Sequence, residues 1–134
     1  MKNPIIPFLF ILAAAWVAGS AGIKAQSATF APVSLRCEGR ENPLGVDSSQ
    51  PRISWILQPS NPAARGLRQT AWQVLTATSP DLLIKNHGDL WDSGKVSSDA
   101  MNQIAYAGKP LVSSQPVFWK VRVWDQSDTP SAWS

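Results

Sequence analysis

Beyond its first 25 residues the chain alternates apolar and polar positions in short runs with a period of two. Arg52-Ile53-Ser54-Trp55-Ile56-Leu57 sets Ile53, Trp55 and Leu57 on one face and Arg52 and Ser54 on the other, the pattern of a half-buried strand. Gln69–Thr76 likewise groups Trp72, Val74 and Thr76. Val117–Trp124 groups Trp119, Val121 and Val123 opposite Lys120, Arg122 and Trp124. These last two runs predict long central strands. A first strand is predicted at Val33–Cys37, shorter ones at Leu90–Asp92 and Asn102–Tyr106, and a single helical turn at Ser79–Ile84.

Pro and Gly break the chain at short intervals, among them Pro43, Pro51, Pro59, Gly66, Pro80, Gly94, Gly108 and Pro116, which leaves no room for a long amphipathic helix. Six or so short strands with no strand–helix–strand rhythm predict an all-β fold. The expected architecture is an antiparallel β-sandwich of the immunoglobulin or fibronectin type III-like kind, with a small barrel as the alternative.

The start of the chain breaks this pattern. Met1-Lys2-Asn3 precedes an apolar run from Ile5 to Val17 and then the small residues Ala18 to Gly22, the layout of a signal peptide helix. Ile23-Lys24-Ala25 offers a cleavage site before Gln26, and the small residues upstream offer rival ones. The expected organisation is therefore a signal peptide over residues 1–25 and one domain over residues 26–134, in a secreted or periplasmic bacterial protein. The apolar run is shorter than the roughly 20 residues of a membrane-spanning helix and has Pro4 and Pro7 at its start, so no membrane attachment is expected after cleavage. A lipid anchor needs Cys at the cleavage point, and the single Cys37 lies well beyond it.

Composition changes this picture little: 44% hydrophobic and 16% charged residues in 134 describe an ordinary globular chain. Removing Lys2 and Lys24 with the leader leaves 10 basic against 9 acidic residues, a net charge of +1. Without a Lys/Arg cluster, nucleic acid is not expected as a partner. A lone cysteine forms no internal disulfide, so the domain must stand on its core, with Cys37 read as a small buried hydrophobe.

Candidate chemistry is sparse. Asp89, Asp92, Asp99, Asp125 and Asp128 lie in or beside turns, where a short carboxylate bonds nearby backbone amides; inverting glycoside hydrolysis would need a pair flanking a cleft. His87, the only histidine, sits in the turn sequence Asn86-His87-Gly88-Asp89, without partners for a metal site or a triad. No catalytic residue, metal or cofactor is expected.

The six tryptophans beyond the leader matter more, because indole faces are what sugar rings stack on. Trp55, Trp72 and Trp119 fall on apolar strand faces. Trp124 and Trp133 fall with Lys120 and Arg122 on an outward face, where an indole lying over guanidinium groups is a structural cation–π arrangement worth about 0.5–1 kcal/mol when exposed. Trp91, in Leu90-Trp91-Asp92-Ser93-Gly94, reads as an exposed stacking residue or a contact with a neighbouring domain. The possible sugar or domain contacts are thus Trp91, Trp124 and Trp133.

Five stretches taken together carry a resemblance: Leu35–Asp47 (LRCEGRENPLGVD), Pro51–Trp55 (PRISW), Gly88–Val96 (GDLWDSGKV), Tyr106–Leu111 (YAGKPL) and Trp119–Asp125 (WKVRVWD). In this order, and covering nearly all of the chain beyond the leader, they resemble the N-terminal immunoglobulin/fibronectin III-like domain of bacterial α-L-rhamnosidases of glycoside hydrolase family 78. The resemblance implies a secreted or periplasmic multidomain hydrolase that removes terminal α-L-rhamnose by inversion. Its acid and base would be carboxylates on a downstream (α/α)6 barrel, none of which is matched here, so no catalytic residue carries over.

The implied partners are the following domains of the parent rhamnosidase and a rhamnose-containing glycan. The family pattern has Tyr where Phe118 stands, so one polar tie is expected to be missing. A sandwich of this type has a final strand after Ser131-Ala132-Trp133-Ser134, so the last strand is expected to be lacking and the edge at Val117–Trp124 to be open. Burying on the order of 200 Å² of apolar surface on such a strand is worth roughly 5 kcal/mol. Two other readings remain: a free-standing rhamnoside-binding module using Trp91, Trp124 and Trp133, and an interaction domain completed by a partner's strand.

Overall fold

The computed structural model describes residues 27–134. The signal peptide expected over residues 1–25, with its expected cleavage site, falls outside the described residues. Among those described, no helix is long and apolar enough to cross a membrane.

Six strands and one short helix follow in the order β1 (Phe30–Cys37), β2 (Arg52–Pro59), β3 (Ala71–Ala77), α1 (Pro80–Ile84), β4 (Trp91–Asp92), β5 (Ile104–Ala105) and β6 (Phe118–Trp124). They form two antiparallel three-stranded sheets, ordered β1-β2-β5 and β4-β3-β6. The fold is the all-β sandwich that the alternation predicts. In β2, Ile53 and Trp55 are buried while Arg52 and Ile56 are exposed. In β6, Val121 and Val123 are fully buried.

The inner faces share one core of Phe30, Ile53, Trp55, Trp72, Val74, Ile104, Val121 and Val123. Trp55 from one sheet meets Trp72 from the other edge-to-face, with ring centroids 6.0 Å apart at 66°. A polar residue is built into this core. Gln69, buried just before β3, accepts from Trp55 Nε1 at 3.0 Å and donates through Nε2 to the carbonyls of Ser98 and Ala100 at 3.2 and 2.9 Å. Those carbonyls belong to the segment that crosses from β4 to β5, so one amide fixes a strand, a crossing and the central indole together.

Several details differ from the sequence reading, each for a physical reason. β1 starts at Phe30 rather than Val33, because Phe30 is itself core and pairs with Pro59. Pro32 is tolerated inside it because β1 is an edge strand, where a missing N–H costs no ladder bond. A register shift between Val33 and Arg36, with Ser34 at φ 51°, bulges this edge. β3 is central, as expected, but β6 flanks it. Cys37 is half-buried beside the core, not fully buried; burial, and next Glu38, raise its thiol pKa.

β6 is the last strand among the described residues, yet its outer edge is not bare. The amides of Ser131 and Ser134 donate to the carbonyls of Val123 and Val121 at 2.8 and 3.0 Å. The hydroxyls of the same two serines accept from the amides of Val123 and Val121 at 3.0 and 3.1 Å. Serine oxygens thus replace strand carbonyls, and residues 131–134 run antiparallel to β6 without being a strand. Ser93 Oγ does the same for the amide of Val74 at 2.8 Å on the other side of that sheet.

Candidate functional site

The β3–β6 register pairs Ala71 with Trp124, Gln73 with Arg122 and Leu75 with Lys120. Because Val121 and Val123 point into the core, Lys120, Arg122 and Trp124 share the outer face of this sheet. There they form a ladder of alternating cations and indoles. Lys95 Nζ lies 5.0 Å from the Trp124 ring centroid, and the Arg122 guanidinium lies 4.9 Å from Trp124 and 4.7 Å from Trp133. Lys120 Nζ lies 4.7 Å from Trp133.

Each rung is held from the side. Arg122 Nε donates to Gln73 Oε1 at 3.0 Å, and Gln73 Nε2 donates to Asp92 Oδ1 at 2.8 Å. Lys95 pairs with Asp128. Lys120 is buried, donates to the Leu83 carbonyl at the end of α1 and to Asn86 Oδ1 at 2.6 Å, and has its ammonium pKa lowered by burial and then by the charge of Arg122.

The structure brings Trp124 and Trp133 together through Arg122 and keeps Trp91 away from them. Trp91 pairs with Thr76, which shares its face with Trp72 and Val74, so Trp91 belongs to the inner face of the sheet. It is half-buried, edge-to-face with Trp72 (6.5 Å, 67°) and with Tyr106 (5.4 Å, 75°), rather than exposed in a turn. Trp124 faces outward as the alternation predicts, but at 7% exposure it is covered by its neighbours. Each ladder indole carries two cations within 5.0 Å of its centroid, and Trp133 is half-buried. The cations on the indoles brace this face of the sheet.

Arg122→Ala, which removes two cation–π contacts of about 0.5–1 kcal/mol each, is expected to lower unfolding stability by about 1–2 kcal/mol. Urea denaturation followed by fluorescence measures this, and a loss near zero would show the stack to be ornamental. Sequence reading identified Lys120, Arg122, Trp124 and Trp133 but missed the fifth member, Lys95, and the lateral partners Gln73 and Asn86. It also missed the serines on either side of Trp133. The Ser131-x-x-Ser134 spacing was their only signal.

Asp89 and Asp125 hold backbone amides of the loops around them. Asp89 accepts from the Thr78 amide at 2.9 Å and from its hydroxyl at 2.7 Å, and the hydroxyl bond first of all holds its carboxyl below the ordinary 3.8. Asp125 accepts from the amides of Ser127 (2.9 Å), Thr129 (3.2 Å) and Thr29 (3.2 Å). Burial, its largest single influence, raises its pKa, but the amide bonds together outweigh burial and lower it. A general acid for glycoside cleavage needs the opposite, a raised carboxyl pKa. Among the described residues no three His, Cys, Asp or Glu side chains gather as metal ligands, and His87 stands exposed in its turn.

The lowered carboxylates give stability a pH dependence of definite sign. The stabilisation is fully present above the unfolded value of 3.8 and is lost as pH falls through the lower native values. Urea midpoints measured from pH 7 downwards are expected to hold level to about pH 5 and then fall. Asp125→Asn should flatten part of that fall, and an unchanged slope would remove Asp125 from the account.

Residues 32–134 match the family described as the Rha78A-like, N-terminal immunoglobulin domain. The chain is 50% identical over 98 residues to an α-L-rhamnosidase of Formosa agariphila, a match covering 72% of this chain and 10% of the relative. It is 48% identical over 94 residues to an α-L-rhamnosidase of Streptomyces avermitilis, covering 70% of this chain and 9% of that one. Among solved structures, an α-L-rhamnosidase from Dictyoglumus thermophilum superposes with a TM-score of 0.75 at 41% identity, over 81% of this chain and 12% of that chain. The Streptomyces avermitilis α-L-rhamnosidase, solved with L-rhamnose, gives 0.73 at 44% identity over 78% and 10%. The chain thus spans about a tenth of the length of these relatives. With the two-sheet fold and the family match in agreement, the chain belongs to the Rha78A-like N-terminal immunoglobulin domain family.

Proposed function

We propose that this chain is the non-catalytic N-terminal accessory domain of an exported α-L-rhamnosidase, a hydrolase of terminal α-L-rhamnose whose catalytic carboxylates lie in later domains. The observation that carries the reading is the match to an N-terminal domain family by a chain whose alignment covers about a tenth of its rhamnosidase relatives. The use of Asp89, Asp92 and Asp125 as turn ligands agrees with it. Export rests on the leader-like residues 1–25. The ladder, with two cations beside each indole, favours a structural role over a free-standing rhamnoside-binding one.

The deciding experiment reads the encoding DNA through and beyond the Ser134 codon. An open frame running on into an (α/α)6 barrel supports the proposal, and a stop codon ends it. The chain by itself is expected to release no rhamnose from an aryl α-L-rhamnoside. An N-terminus at Gln26 in the exported product would confirm cleavage.

A further inference from the structure

Six large apolar side chains stand exposed among the described residues, and five of them collect at one end of the sandwich. The topology defines that end. β3 runs from Ala71, opposite Trp124, to Ala77, opposite Phe118. The start of β1 is tied to the Trp124 end by hydrogen bonds from Ala28 to the Pro130 carbonyl and from Thr29 to Asp125. The far end therefore holds the close of β1, the start of β2, the start of α1 and the start of β6, with the loops 38–51, 78–90 and 106–117. Leu44 and Val46 are in the first loop, Ile84 closes α1 beside the second, Val112 is in the third, and Phe118 opens β6. Only Ile56 lies elsewhere, on the outer face of β2 beside Val33.

Scattered surface hydrophobes need no explanation, but five gathered at one end do. The loop carrying Leu44 adds a second sign. Its base is fixed: Cys37 and Arg40 exchange two backbone bonds, and Glu38 bonds Arg52 through both its amide and its carboxylate. Above that base, residues 42–47 exchange no main-chain hydrogen bond with any described residue, and Leu44 is fully exposed. A third sign is direction. Residues 131–134 run along β6 from Val123 towards Val121, that is, towards this same end.

The geometry points to this end as the docking face for the next domain of the rhamnosidase, with Leu44, Val46, Ile84, Val112 and Phe118 as its apolar anchors. The inference rests on the reading under Proposed function and adds to it where the contact is made. The occupant is the polypeptide that follows residue 134, because the chain is heading there.

The test is amide hydrogen exchange on the full-length rhamnosidase that carries this domain. The amides of residues 44–47, unbonded within the domain, are expected to exchange at least tenfold more slowly than an unprotected chain. Leu44→Ser combined with Ile84→Ser and Val112→Ser should restore fast exchange there, while Ile56→Ser, away from this end, should not. All four positions are exposed, so folding of the domain is not at stake. Unprotected exchange of residues 44–47 in the intact enzyme, or the same exchange in the triple variant and in Ile56→Ser, would overturn the docking face and leave the accessory-domain reading standing. A reading frame that stops at Ser134 would overturn both.

Discussion

A chain carrying Trp55→Ala is expected to unfold in urea with about 3–5 kcal/mol less stability than the parent, the usual cost of emptying a large aromatic site in a core. Three losses combine at this position. The indole is buried between the sheets, it is the edge-to-face partner of Trp72, and its Nε1 is the donor that Gln69 was placed to receive. A domain of this size commonly has about 5–15 kcal/mol in total, so the variant should sit near the limit of folding at 37 °C. A loss under about 2 kcal/mol would mean that the sheets close over the gap and that the core is less tightly fitted than its contacts indicate.

The second large effect is expected at Gln69→Leu, a loss of about 2–4 kcal/mol despite the gain in apolarity. The substitution leaves the Trp55 Nε1–H and the carbonyls of Ser98 and Ala100 without their partner, and a buried polar group stripped of its bond costs about 1–3 kcal/mol. A double-mutant cycle with Trp55→Phe isolates the mechanism, because phenylalanine has no donor to strand. The double variant should be destabilised by about 1 kcal/mol less than the sum of the singles. Strict additivity would show that Gln69 acts only through the 98–101 crossing.

Gln69 also marks the limit of what the sequence discloses. The strands were legible because a half-buried sheet writes its two faces into alternate residues, as β2 does, while β3 and β6 keep the alternation in residue type although both their faces are largely covered. A glutamine at the head of such a run looks like a solvated flank. Its burial depends on a carbonyl pair some 30 positions away, which no local pattern encodes. Trp124 shows the converse: alternation put it on the correct outer face, but its cover comes from Lys95 and Arg122, which the one-dimensional pattern treats as solvent-facing. Trp91 was read from turn residues nearby, whereas its two-residue strand pairing with Thr76 decides its face. The open edge expected along β6 was misjudged in one respect, since serine hydroxyls are acceptors and need no regular strand to present them.

The pairing order has a consequence for the way the chain is made. β3 is buried on both sides, but its only long partner, β6, is synthesised some 40 residues later, and the nearer partner, β4, is two residues long. While the chain emerges from its N-terminus, this sheet stays incomplete, with Trp72 and Val74 lacking the cover of Val121 and Val123, until β6 is out. Closure of the sandwich therefore waits on β6, and until then the edge of β3 that β6 will cover carries a row of unpaired backbone groups. Such an edge is open to strands of other chains, so the order of synthesis makes the interval before β6 the one in which the domain is most prone to mispair.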